Sequence, residues 1–216
     1  MWLFLDRFES VPDFAADDRI RVLRSQEVGD LRGNGKLLPA VLETAPCTFF
    51  PVDDDIEYPP DYCARLESYL GRHGRPVVVG VHAAILRPPI ESYARDMKVL
   101  HRRASRPHAE QVDILGADSL AFETSSLDVD VRTWPDVNMV DLHFALTARR
   151  QNVPLVTIPR KAHWLSALDE NQPDSIWMGV LADDSRQTEL ARELSALPRP
   201  PLRRCRLRVP SLLGWP

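Results

Sequence analysis

Four acidic residues follow a short apolar run in the segment CTFFPVDDDIEYPPDY, residues 47–62. Asp53, Asp54 and Asp55 are consecutive, and Glu57 comes two positions later. Two carboxylates about 4 Å apart repel each other by roughly 4 kcal/mol at a dielectric constant typical of a protein surface. A chain tolerates such a cluster where water surrounds it or where a cation offsets the charge. The segment therefore predicts either a solvated acidic turn or a cation site.

Mg²⁺ and Mn²⁺ are the cations whose chemistry fits this pattern. They take oxygen ligands, and a magnesium site commonly uses one or two protein carboxylates and completes its shell with substrate phosphates. A D-x-D pattern at the end of a strand supplies that partial shell. The alternative is an acidic turn before a helix, whose N-terminal dipole favours carboxylates. A calcium-binding EF-hand loop is disfavoured, because its sixth position requires glycine and here is Tyr58.

Composition and charge narrow the class of protein. The chain has 216 residues, of which 44% are hydrophobic and 27% charged, with a net charge of −4. This is ordinary globular composition, and the negative net charge argues against general nucleic-acid binding. Cys47, Cys63 and Cys205 show neither metal nor redox spacing, which favours a reducing compartment. No apolar run reaches the roughly 18 residues of a membrane span, so we expect a cytoplasmic protein.

The elements that must position the acidic residues alternate between strand and helix patterns. This alternation predicts an α/β fold with a mostly parallel sheet flanked by helices. Continuous apolar runs at 76–82 and 153–159 are typical of strands buried on both faces. Ligands bind at the carboxyl ends of strands in such sheets, where we expect the aspartates, His82 and His163. Further patterns predict helices at 90–104, at 141–152 and at about 184–195, and a strand-turn-strand unit at 112–124.

Five elements follow one another in a fixed order along the chain. They are DDDIEYPPDY (53–62), VVVGVHA (77–83), ILGADSLAFE (114–123), PDVNMVDLHFA (135–145) and IPRKAHWL (158–165). In this order they resemble the GT-A glycosyltransferases of the family-2-like type, in particular the bacterial enzymes that build capsular and other surface polysaccharides. The resemblance implies a Rossmann-like α/β domain over residues 1–196. It also implies metal-dependent transfer of a sugar from a nucleoside diphosphate sugar, UDP-linked, to a hydroxyl of a saccharide or lipid-linked acceptor.

The resemblance also implies a metal and donor site. Asp55 matches the direct ligand of Mn²⁺ or Mg²⁺, Asp53 a second ligand or nucleotide contact, and Asp54 a contact to the donor sugar. His163 matches a late histidine that supplies another metal or diphosphate contact, and imidazole suits Mn²⁺ better than Mg²⁺. Lys36, in GNGK (33–36), matches a contact to the nucleotide or diphosphate. The alternatives are a solvated turn for Lys36 and a surface loop for His163.

Asp141 is the catalytic candidate, at the start of the predicted helix after PDVNM. If the reaction inverts the anomeric centre, a carboxylate must take the proton of the acceptor hydroxyl, and Asp141 is the expected base. If the reaction retains configuration, Asp141 is expected to contact donor or acceptor sugar. The alternative is a plain helix cap. His82 and the turn around Gly116 and Asp118 are expected near the acceptor.

Two features depart from the family pattern. The chain begins at the strand that matches the second strand of the family, so we expect either that Met1 is a late or misassigned start or that the fold is shortened by its first strand-helix unit. Residues 197–216 form a basic, proline-rich tail with five arginines. This tail is expected to be disordered or to lie across the sheet, and the alternative is contact with an anionic inner-membrane surface.

Two other functions are compatible with the same sequence features. A catalytically inactive GT-A-like domain would bind a partner or a glycan without turnover, which the shortened pattern favours. A nucleotidyltransferase would use the same carboxylates and metal on phosphates, and it would release pyrophosphate rather than a nucleoside diphosphate.

Overall fold

A mixed five-stranded sheet with helices on both faces forms the centre of the chain. The computed structural model describes residues 1–73, 76–168 and 176–202. The strands of this sheet, in spatial order, are β3 (Thr48–Phe49), β10 (Leu120–Glu123), β5 (Val78–Gly80), β11 (Leu155–Thr157) and β8 (Glu110–Val112). The observed architecture is therefore mixed α/β.

Smaller sheets complete the strand set of the described residues. A separate parallel pair joins β1 (Trp2–Leu5) to β2 (Arg21–Arg24). A three-stranded antiparallel sheet has the order β7 (Met97–Leu100), β6 (Ala83–Leu86) and β9 (Ile114–Leu115). An antiparallel pair joins β4 (Ile56–Glu57) to β12 (Ser166–Ala167).

Three of the six α-helices in the described residues have nine residues or more. The α-helices are α1 (Ser25–Val28), α2 (Pro39–Leu42), α3 (Tyr62–Leu70), α4 (Val140–Arg150), α5 (Ile176–Ala182) and α6 (Ser185–Ala196). Single 3₁₀ segments cover Asp13–Ala16, Arg32–Leu37 and Val131–Thr133. None of the helices in the described part of the chain is both long and apolar enough to cross a membrane.

The side chains of the central strands point alternately into two hydrophobic cores, one on each face of the sheet. On β5, Val78 belongs to the core that includes α4 and α6, whereas Val79 belongs to the core under α3. Leu155 and Val156 of β11 divide in the same way. Strand side chains alternate between faces, so a strand covered on both sides must be apolar throughout. The apolar runs at 76–82 and 153–159 are thus confirmed as buried strands.

The prediction of a mostly parallel sheet is wrong. In the five-stranded sheet as described, β5 and β11 pair in parallel, whereas the other three neighbouring pairs are antiparallel. The physical reason is the stretch from 110 to 123, which contains β8, β9 and β10 without a helix between them. A parallel neighbour requires a crossover connection of about a dozen residues or more, and this stretch reverses direction by turns instead.

The prediction of a helix at 90–104 is also wrong. Residues 97–100 form β7, which pairs with β6 in an antiparallel ladder. The preceding loop closes on Asp96, whose carboxylate accepts the backbone N–H groups of Glu91 and Ser92 at 2.7 and 2.8 Å. An aspartate that bonds nearby backbone groups competes with helix formation. The helices predicted at 141–152 and at about 184–195 are confirmed as α4 and α6, within a few residues.

The first residues of the predicted tail contact the body of the protein. Arg199 Nε donates to Asp113 Oδ1 at 2.9 Å, and Arg149 Nη2 donates to the same oxygen at 2.8 Å. Gln111 Nε2 donates to the carbonyl oxygen of Pro200 at 2.8 Å, so the segment lies beside the edge strand β8. The rest of the predicted tail, 203–216, lies outside the described residues.

Substitution of Asp113 tests how much the stability of the protein depends on the charge cluster of Asp113, Arg149 and Arg199. The side chains of Asp113 and Arg149 are each 5% exposed. Asp113→Ala leaves the Arg149 guanidinium buried without a carboxylate, so we expect a loss of about 3 kcal/mol or more in the free energy of unfolding, measured by urea denaturation. Glu193→Ala removes an exposed partner of Arg150 and should cost less than about 1 kcal/mol. Equal losses in both variants would contradict the prediction.

Candidate functional site

Two loops that are distant in sequence form one wall of the candidate site. The backbone N–H of Gly33 donates to Asn138 Oδ1 at 3.0 Å, and Asn34 Nδ2 donates to the carbonyl oxygen of Asp136 at 2.9 Å. Asn138 has a φ of 58°, a left-handed conformation that asparagine adopts more readily than most residues. These bonds bring the GNGK and PDVNM segments together, and with them Lys36 and Asp141.

Lys36 reaches from this wall to the first aspartate of the triplet. Its Nζ donates to Asp53 Oδ1 at 2.5 Å, and the two side chains are 20% and 33% exposed. The backbone N–H of Asp53 donates to the Tyr58 hydroxyl at 2.9 Å, and that hydroxyl donates to the carbonyl oxygen of Asp118 at 2.6 Å. Burial raises the pKa of Asp53, and the positive charge of Lys36 partly offsets this rise.

Asp141 joins the same group of charges from the start of α4. Its Oδ1 accepts the backbone N–H of Ala117 at 2.8 Å. Burial of the carboxyl first, and the negative charge of Asp118 second, raise the pKa of Asp141 to about 6. Lys36 and Asp53 act on this pKa as well, in opposite directions. Asp141 is therefore a carboxylate that exchanges its proton near neutral pH, as a general base must.

Asp118 is the member of the site whose importance sequence reasoning missed. It was expected only to lie near an acceptor, yet it is 7% exposed and forms an ion pair with Arg102. Its Oδ1 also accepts the Ser119 hydroxyl at 2.6 Å. Its negative charge raises the pKa of both Asp53 and Asp141. The GADS turn carries no motif that would have identified this role.

The remaining predicted residues are Asp54, Asp55 and His163. Asp54 is exposed, and the backbone carbonyl of Asp55 accepts the N–H of Leu168 at 2.8 Å. His163 is exposed, and its backbone N–H donates to the carbonyl oxygen of Arg103 at 2.9 Å. Over residues 1–73, 76–168 and 176–202, no three histidine, cysteine, aspartate or glutamate side chains are grouped so as to hold a metal ion. It therefore remains a prediction that Asp53, Asp55 and His163 bind a metal ion.

The carboxylates of the site fit a metal site shared with a substrate, and they do not fit a metal site built from protein ligands alone. A cage made wholly of protein ligands does not fit, since Asp53 is bonded to Lys36 and the three predicted ligands are not grouped. A magnesium-type site that takes one or two carboxylates from the protein, and its other oxygens from a diphosphate, does fit the aspartate triplet. In such a site Lys36 would be free to turn from Asp53 to the phosphate oxygens.

Comparison with known proteins assigns no family. No protein-family model matches the chain, and no curated protein sequence matches it. What the site can do follows from its side chains and their surroundings, chiefly Lys36, Asp53, Asp118 and Asp141.

Asp141→Asn tests the raised pKa through stability. A carboxyl whose pKa is about 6 in the folded chain and about 3.9 when unfolded stabilises the fold fully below about pH 4, and this contribution is lost as pH rises through about 6. Asparagine keeps an oxygen for the Ala117 N–H and carries no charge. We expect the variant to exceed the wild type in free energy of unfolding at pH 7.5 by on the order of 2 kcal/mol.

The same comparison at pH 4 supplies the control. At pH 4 Asp141 is protonated in the folded chain and about half protonated in the unfolded chain, so the difference between variant and wild type should shrink to a few tenths of a kcal/mol. Asp128→Asn, at an exposed position, should give the same small difference at both values of pH. A gain for Asp141→Asn that does not change with pH would mean that the carboxyl is not perturbed.

Proposed function

We propose that this chain is a GT-A-type glycosyltransferase domain that transfers a sugar from a nucleoside diphosphate sugar, UDP-linked, to a hydroxyl of a saccharide or lipid-linked acceptor. The observation that carries the proposal is the meeting of three separate motifs. Lys36 of GNGK is bonded to Asp53 of the DDD triplet, and both act on the pKa of Asp141 of PDVNMVD. The proposal includes a cytoplasmic setting, where a chain with free cysteines is stable.

Asp141 is the general base in this proposal. With a pKa of about 6 it is mostly ionised at pH 7, yet basic enough to take the proton of an acceptor hydroxyl as the bond to the sugar forms. The Ala117 N–H fixes the orientation of the carboxyl through Oδ1. The charge of Asp118 keeps Asp141 basic, so Asp118 acts through Asp141 as a positioning residue.

Lys36 and the aspartate triplet hold the donor. Lys36 Nζ is a mobile point charge suited to phosphate oxygens, and Asp53 holds it in place before the donor enters. Asp53 and Asp55 would hold a divalent cation, with His163 as the further predicted ligand. A bound Mn²⁺ or Mg²⁺ supplies charge neutralisation for the diphosphate leaving group. Asp54 is expected to contact the donor sugar.

Calorimetric titration with UDP, with and without Mn²⁺, tests donor binding. We expect binding that depends on Mn²⁺ and weakens at least tenfold in Asp55→Ala, because one carboxylate ligand is lost. Asp128→Ala removes an exposed carboxylate elsewhere and should leave the affinity unchanged. Absence of UDP binding to the wild type under both conditions would overturn the proposed function.

The pH dependence of transfer tests the base. The rate of UDP release from a UDP-sugar in the presence of acceptor should fall about tenfold for each pH unit below about 6, as Asp141 takes up its proton. Asp141→Asn should lose 10²-fold to 10⁴-fold in kcat with UDP affinity retained. A rate that stays constant from pH 7 to pH 5 would exclude Asp141 as the base.

A binding domain without turnover is the second candidate. The Lys36–Asp53 ion pair favours it, because a ligand must separate this pair before Asp53 can accept a cation. This candidate requires UDP or glycan binding without UDP release at any pH. Turnover that depends on Asp141 would exclude it.

A further inference from the structure

Two basic segments lie side by side next to the candidate site. They are HRRASRPH (101–108) and IPRKAH (158–163), and we call them together the basic cluster. The backbones of Arg106 and Arg160 bond each other in both directions, with N–H to carbonyl distances of 2.9 and 2.7 Å. The N–H of His163 donates to the carbonyl oxygen of Arg103 at 2.9 Å, which extends the contact.

Arg160 fixes the shape of the basic cluster from inside. It is 3% exposed, and its guanidinium donates to the carbonyl oxygens of His101 at 2.8 Å and Arg102 at 3.1 Å. Its other hydrogen-bond partners in the described chain are two further carbonyls and the Thr157 hydroxyl. Burial and the charge of Arg106 lower the pKa of Arg160 to about 10, so it remains a cation at neutral pH. A positive charge is thus buried on backbone oxygens.

Three buried nitrogens in this neighbourhood have no hydrogen-bond partner among the described residues. They are Nε of Arg102, Nε of Arg106 and Nδ1 of His82. Arg102 Nη2 donates to Asp118 and Arg106 Nη2 donates to Glu110, so in each guanidinium Nη2 is paired and Nε is not. A buried N–H donor without an acceptor costs about 1–3 kcal/mol, and native proteins leave few of them. The two guanidinium nitrogens therefore mark a place where an acceptor is missing.

His82 and Asp118 connect the basic cluster to the candidate site. The rings of His82 and His101 are 5.9 Å apart between centroids, and the charges of Asp118, Arg102 and Arg160 all act on His82. The charge of Asp118 also raises the pKa of Asp141 and, as a lesser cause, that of Asp53. A ligand seated on the basic cluster would therefore lie next to the carboxylates proposed for catalysis.

We propose that the basic cluster binds a phosphate group of a substrate, an inference that rests on the proposed function. The cluster contains Arg102 and Arg106, which pair with Asp118 and Glu110, together with the buried Arg160 and the exposed Lys161. Arginine presents N–H donors in a fork that matches phosphate oxygens, and such charge-assisted bonds are roughly twice as strong as neutral ones. A phosphate supplies acceptor oxygens to the unpaired guanidinium nitrogens.

Two substrates could bring this phosphate. One is the nucleoside diphosphate donor, whose diphosphate would then extend from Lys36 toward Arg102. The other is an acceptor that carries its own phosphate, such as a lipid-linked glycan. The shared chemistry is a phosphate oxyanion beside Asp118, and separate arms of the experiment tell the two sources apart.

The first arm is a calorimetric titration with inorganic phosphate, without metal or nucleotide. We expect Arg106→Gln to weaken phosphate binding by about tenfold or more, as loss of one charge-assisted bond implies. Arg132→Gln, whose side chain pairs with Asp130 at another place on the surface, should bind like the wild type. Glu110→Gln removes the carboxylate that competes for Arg106 and should strengthen binding severalfold, a gain that misfolding cannot produce.

The second arm repeats the series with UDP and Mn²⁺. A loss of UDP affinity in Arg106→Gln equal to the loss for phosphate assigns the site to the donor. Unchanged UDP affinity with weakened phosphate binding assigns it to a phosphorylated acceptor. Phosphate affinity that is the same in the wild type, Arg106→Gln and Glu110→Gln would overturn the inference. Because the first arm contains no nucleotide, failure of the wild type to bind UDP would overturn the proposed function alone.

Discussion

The reverse turn at residues 116–119 is the constraint on which the rest of the site depends. Its backbone is bonded on every side: Gly116 N–H to the His82 carbonyl at 2.9 Å, Ala117 N–H to Asp141, and the Asp118 carbonyl to Tyr58. A Cβ at position 116 would come within 2.6 Å of Asp118 Oδ1 and 3.2 Å of the His82 ring, so a larger residue there would displace the Asp118 carboxylate from its partners. One turn therefore sets the distances between the aspartates, the histidine and the strands that carry them.

Periodic patterns explain why so much of the fold could be predicted. The buried strands β5 and β11 and the helices α4 and α6 bury whole faces, so their apolar residues recur at fixed spacing. Strand direction leaves no such pattern, because it depends on how the chain turns between strands. The prediction of a helix at 90–104 failed for a related reason. Asp96 closes a loop, and Met97–Leu100 are stabilised by pairing with β6. Tertiary pairing of this kind overrides local propensity.

Some residues of the site could be predicted from the sequence, whereas others matter only through contacts that the fold creates. Asp53 could be singled out from the acidic triplet, and Lys36 and Asp141 from the family resemblance of GNGK and PDVNM, and the fold brings these three together. Asp118 and Arg102 could not, because their importance arises from an ion pair between the turn at 116–119 and the loop that follows β7. Whether Asp55 and His163 bind a metal depends on a ligand that completes the shell, which no pattern within the chain can specify.

The small parallel sheet of β1 and β2 lies beside the segment that carries Lys36. Two strands alone are marginally stable in water, whereas the five-stranded sheet is covered by a core on each face. The ring of Phe4 on β1 packs against Gly35, directly beside Lys36. On the other side of Lys36, Leu37 and Leu38 are buried in the core that β5 and β11 share with α4 and α6. Backbone amides of β1 should therefore exchange hydrogen at a lower free energy than those near Asp118, and local opening of the strand pair needs no unfolding of the segment that holds Lys36.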